Sequence, residues 1–67
     1  MSVYKVIELI GTSKESWEDA ATKAVLTANK SLRELRIAEV VKLDMRLDDG
    51  DVIEYRVRLN VSFKFED

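Results

Sequence analysis

The chain has 67 residues with no Cys, no His and no Pro, so neither a disulfide nor a Cys/His zinc site can brace it. A domain of this size buries only about 60% of the surface its unfolded chain exposes, and self-association is the remaining supplement, with an oxygen-ligated cation second. Charged residues make up 36% of the chain, yet 11 Lys+Arg against 13 Asp+Glu leave a net charge of only −2, which speaks against the concentrated basic face of a nucleic-acid binder.

No apolar run approaches the roughly 20 residues of a membrane helix, and "MSVYKVIELI" lacks the basic start and small-residue cleavage site of a signal peptide. The sequence therefore predicts a soluble, cytoplasmic protein without membrane partners.

The first predicted element is a strand over Val3 to Ile10, β-branched and apolar with Lys5 and Glu8 interrupting. Val3, Ile7 and Leu9 share one parity while Tyr4, Val6 and Ile10 share the other, so both faces are expected to be partly covered.

A helix follows Gly11. Ser13 or Ser16 can cap its free N–H groups, and Ser16 with Asp19 has capping-box spacing, though with Asp in place of the usual Glu. Glu15, Glu18 and Asp19 sit at the positive end of the helix dipole, and Lys30 and Arg33 are expected near the negative end. Trp17, Ala20, Ala21, Ala24, Val25, Ala28, Leu32 and Leu35 form one stripe at helical spacing. Its alanines allow a close approach to a sheet. Trp17 reads as a staple for the helix start, against the alternative of stacking on a ligand.

A second strand is predicted from Ile37 to Leu47, with Ile37, Val41, Leu43, Met45 and Leu47 on one parity. Asp49-Gly50 then signals a tight hairpin turn. The third strand runs from Val52 or Ile53 to Phe65 and alternates without a break between Ile53, Tyr55, Val57, Leu59, Val61, Phe63, Phe65 and a polar face that includes Arg56 and Arg58. The order is β-α-β-β, an α+β fold. The helix covers one face of a three-stranded sheet, and a right-handed crossover makes the first two strands either parallel neighbours or near-neighbours with the third strand, antiparallel to the second, slotted between them. Val40 is assigned to the uncovered face with the second parity of the first strand, and another copy of the chain is the simplest cover for it.

Together, the opening "VYKVIELIGTS", an Ala-rich helix of about five turns, the strand start "AEVVK" and the closing "YRVRLNVSFKFE" resemble the dodecin family over essentially the whole chain. The resemblance implies a β-α-β-β fold, a three-stranded antiparallel sheet packed on one helix, assembled as a hollow homododecamer of cubic symmetry. It further implies ligand binding without known catalysis. Flavin-binding dodecins place a Trp at the start of the second strand, where pairs from neighbouring subunits sandwich the flavin ring, and a Gln in the third strand bonds its polar edge. Those positions fall on Ile37 and Arg56 here. An aromatic pair contributes about 0.5 to 1.5 kcal/mol beyond area burial, so losing both sides of a sandwich weakens flavin binding by roughly tens to hundreds of fold.

A branch without the stacking Trp has been described as calcium dodecin, and this chain resembles it more closely: "MSVYKVIELIGTS", Trp17, the aliphatic Ile37, Asp44-Met45 and "YRVRLNVSFK" all agree. The implied ligand is calcium or another small ligand or cation, with flavin the runner-up and a purely structural assembly the third reading. Calcium takes six to eight oxygens, and Asp44, Asp48, Asp49 and Asp51 cluster around the hairpin without EF-hand spacing, where turn formation is the simpler role. Arg46, Arg56 and Arg58 either form charge ladders across the hairpin or line an anion pocket. With no His or Cys there is no conventional nucleophile and base pair, and no enzyme is expected. Tyr55, Phe63 and Phe65 lie on the core parity, which leaves no aromatic platform for bases.

Overall fold

The computed structural model describes residues 2–65. Strand β1 (Tyr4–Ser13) leads into helix α1 (Trp17–Ala28), followed by the long strands β2 (Leu35–Asp48) and β3 (Asp51–Lys64). The sheet order is β1-β3-β2, and both pairings are antiparallel. The alternating third strand is therefore central, the second of the two arrangements that the crossover allowed. Its odd residues face the helix: Val57, Leu59 and Val61 are fully buried and form the core with Ala20.

Two local features bring α1 onto the sheet. Ser16 is the N-cap and accepts from the Asp19 amide at 3.0 Å. The Asp19 carboxylate does not close the reciprocal half of a capping box; it accepts from the Ser13 hydroxyl at 2.5 Å and pairs with Lys23 at 2.8 Å. Ser13 in turn accepts from the Glu15 amide at 2.9 Å, so the two serines share the work of starting the helix. Gly11 lets the helix lie directly on β1, since a Cβ there would stand 2.3 Å from the Ala20 carbonyl oxygen.

The helix is shorter than the apolar stripe suggested. It ends at Ala28 with Asn29 as C-cap, and its last turn carries no basic residue, which places Lys30 and Arg33 beyond it. The Leu32 amide still reaches the Ala28 carbonyl at 2.9 Å in a final loose turn. The chain then turns at Glu34, whose φ of 62° is left-handed, and Leu35 already belongs to β2. Neither Gly nor Pro marks this boundary; pairing of Leu35 with Phe63 sets it. The hairpin turn does follow the sequence. Asp49 and Gly50 both have positive φ, 51° and 83°, as a type I′ turn requires.

Strand β2 departs from the predicted parity at two bulges. Leu35 lies opposite Phe63 and Ile37 opposite Ser62, so Arg36 is an extra residue, and Val41 is another between the Val40–Leu59 and Lys42–Arg58 pairs. Each extra residue inverts the side-chain alternation. Ile37 therefore turns to the face away from the helix, whereas Leu43 and Met45 face the helix side opposite Val57 and Tyr55. Val40, assigned from sequence to the uncovered face, lies opposite buried Leu59 on the helix side.

The molecule extends 51 × 19 × 14 Å, and its radius of gyration of 13.7 Å exceeds the roughly 11 Å of a compact chain of this length. The far end of the β2–β3 hairpin projects past the helix, which packs on β1 and β3 and scarcely touches β2.

Candidate functional site

The sheet face away from the helix carries the polar side of β3, and cross-strand register arranges it in rows. Val6, Ser62 and Ile37 form one row, Glu8, Asn60 and Glu39 the next, then Ile10, Arg58 and Lys42, and then Thr12, Arg56 and Asp44. Such rows follow from strand period and register alone. Ile37 is 67% exposed at one end, with its carbonyl accepting a 3.5 Å hydrogen bond from the Ser62 hydroxyl.

Arg56 is held at the other end. Its Nε donates to Asp44 Oδ1 at 2.8 Å and its Nη2 to Asp44 Oδ2 at 3.3 Å, a two-pronged pair that fits guanidinium to carboxylate. The hydrogen bond from Arg56 holds the Asp44 carboxyl below its ordinary range, with the charges of Arg58 and Lys42 adding to it. Arg46 is likewise engaged, its Nε donating to Glu54 Oε1 at 3.0 Å. Arg58 faces Lys42 across the strands, and no ion pair among the described residues includes either one.

The structure thus puts Ile37, Arg46, Arg56 and Arg58 on the same face but does not gather them. Ile37 and Arg56 lie in rows about 20 Å apart along the strand direction, so a pocket using both must draw them from different chains. The aspartates are also dispersed: Asp44 is committed to Arg56, Asp48 and Asp51 face each other at the hairpin end, and Asp49 is in the turn. Among the described residues no group of three or more acidic side chains is placed to hold a metal ion. Calcium needs six to eight oxygens, which these residues of one chain do not assemble.

On the helix side, Trp17 is the staple that its place in the first turn suggested. Its ring meets Tyr55 edge-on at 5.1 Å, and its Nε1 donates to the Asp44 carbonyl at 3.0 Å. The backbone under the Asp44–Arg56 pair is thereby tied to the helix start. The sequence carried no signal for this hydrogen bond, because it joins α1 to β2 between residues 27 apart in the chain. Among the described residues no helix is long and apolar enough to cross a membrane.

A three-stranded antiparallel sheet wrapped on one short helix, in the order β-α-β-β with an exposed aliphatic residue at the start of β2, defines the class of this chain. The family model for Dodecin matches residues 3–66, and this chain belongs to the dodecin family. It is 53% identical over 64 residues to a calcium dodecin of Mycobacterium tuberculosis, covering 96% of this chain and 90% of the relative. The solved structure of that calcium dodecin, a calcium chelating antigen with a novel calcium-binding site, superposes with a TM-score of 0.86 at 50% identity, covering 97% of this chain and 93% of the other. The structure of a mutant Thermus thermophilus dodecin matches with a TM-score of 0.93 at 40% identity, covering 100% of both chains.

Proposed function

We propose that this chain assembles in the cytoplasm as a hollow homododecamer that stores or buffers a small ligand or cation without catalysis, with calcium favoured over flavin. The observation that carries this reading is Ile37. At the position where flavin-binding dodecins stack a Trp, an aliphatic side chain lies exposed on the open face. The likeness to a calcium dodecin supports the cation. Because the described residues of one chain do not gather a set of carboxylates, the calcium site in this reading draws acidic groups from several copies, such as Asp44, Asp48, Asp49 and Asp51 brought together on a symmetry axis.

Light scattering should give a particle of about twelve times the 7.7 kDa chain mass; a single chain at all concentrations would remove the reading. A cation that binds only the folded form should raise the melting temperature with calcium and lose that rise with a chelator, about 2.7 kcal/mol being expected at one hundred times Kd.

Flavin binding is the second reading, favoured by Ile37 and Arg56 sharing the open face, with Ile37 as an apolar lid and Arg56 on the polar or phosphate edge. Strong quenching of riboflavin fluorescence on titration would support it. A particle that neither quenches flavin nor responds to calcium is a structural assembly without a dedicated ligand.

A further inference from the structure

We infer that Lys42 and Arg58, side by side on the open sheet face, bind a phosphate dianion, free or carried on a small ester. The inference goes beyond the storage reading and is independent of which cation or flavin the protein takes.

Three arginines share this face, and two are already spent: Arg56 is held by Asp44 and Arg46 by Glu54. Arg58 is left, and the residue it meets across the strands is a second cation, Lys42. Like charges directly opposite in an antiparallel pair stand about 5 Å apart at Cβ and repel. Among the described residues neither side chain enters an ion pair that would relieve this.

The fold creates the juxtaposition rather than merely tolerating it. Val41 is the extra residue between the Val40–Leu59 and Lys42–Arg58 pairs. In unbroken register Val41 would pair with Arg58 on the open face. The bulge sets Lys42 there instead, and re-aiming a side chain in this way is what bulges beside functional sites do.

Charge and geometry then choose the ligand. The Asp44 carboxylate lies within the field of both cations, which add to the effect of Arg56 upon it. Lys42, Arg56 and Arg58 thus surround a single anion, and two positive charges remain in the cluster although the whole chain is net negative. A dianion balances them. A guanidinium fork takes two oxygens of a phosphate, and a lysine ammonium sets a point charge against a third. A carboxylate offers only two oxygens and one charge, as Asp44 does to Arg56.

Isothermal titration calorimetry of the full-length protein with inorganic phosphate, and separately with glycerol phosphate, tests the site at an ionic strength held constant with sodium chloride. Saturable binding of phosphate is expected. Binding of the ester as well marks a site for phosphate esters, and binding of inorganic phosphate alone marks one for the free ion. Arg58→Gln and Lys42→Gln should each weaken binding by about tenfold or more, through loss of a charge-assisted hydrogen bond. Asp44→Asn removes the one negative charge of the cluster and should tighten it. Lys30→Gln removes one positive charge beyond the end of the helix and should leave it unchanged. No saturable binding to the folded parent protein, or equal weakening by Lys30→Gln and Arg58→Gln, overturns the inference. A parent indifferent to phosphate, beside Arg58→Gln and Lys42→Gln variants that lose particle mass, would overturn it in favour of a carboxylate from a neighbouring copy.

Discussion

Arg56 and Asp44 meet on the open face through two hydrogen bonds, at 2.8 and 3.3 Å, directly across the β2–β3 register. The pair gives a pH prediction. The Asp44 carboxyl is held below its ordinary range in the folded state, mainly by Arg56, so its contribution to stability is fully present above the ordinary carboxylate pKa of about 3.9. The contribution is lost as pH falls through the lowered folded value. Asp44→Asn should therefore be less stable than the parent near neutral pH, and the two melting curves should converge on acidification below about pH 4. A constant gap down to strongly acid pH would show that the pair does not act this way.

Gly11 is a close-approach position. A methyl group there would meet the Ala20 carbonyl oxygen at 2.3 Å and the Ala24 Cβ at 2.9 Å, and the obstruction is largely helix backbone that cannot rotate away. Gly11→Ala is expected to destabilise by about 1 to 3 kcal/mol, the cost of overpacking, read from denaturant unfolding at unchanged slope.

Trp17 combines packing on Tyr55 with a hydrogen bond to the Asp44 carbonyl. Trp17→Phe keeps a ring and loses the donor, and should cost about 0.5 to 1.5 kcal/mol. Trp17→Ala loses both and should cost more, about 3 kcal/mol. Thermal unfolding followed by circular dichroism tests the order, since the variants lack the only Trp in the chain.

Ile37 offers a gain-of-function test. Ile37→Trp puts an aromatic face on the exposed start of β2 without touching the buried core. It should tighten riboflavin binding on the order of tenfold or more, from the stacking contribution of each aromatic pair. Fluorescence titration beside the parent protein measures it, and equal quenching by the two would show that the stack does not set flavin affinity here.

Much of this architecture is written locally. The unbroken alternation of the third strand names Val57, Leu59 and Val61 as core because a strand half-covered by a helix must repeat every second residue, and those three are the buried ones. The Asp49-Gly50 turn follows from which residues tolerate positive φ, and the Ser16 cap from the free N–H groups of a helix start. Family resemblance carried the identity of the Ile37 position, which no period could supply.

What tertiary structure decided was phase and partnership. Helical spacing continued to Leu35 in the sequence, but hydrogen bonds to β3 took that residue into a strand and left the helix ending at Ala28. The extra residues Arg36 and Val41 inverted the alternation of β2, sending Ile37 to the open face and Val40 to the helix side. A bulge leaves no periodic trace of its own, because it arises from how two strands fit their twist together rather than from either strand alone. Charge pairing depended on the same register: Asp44 was grouped with the hairpin aspartates by sequence position, and the ladder gave it to Arg56. The sequence by itself determined which segments become strand, turn and helix start, since those depend on neighbours along the chain. Only the folded sheet decided which face Ile37 occupies and which charge Asp44 meets, since those depend on neighbours across it.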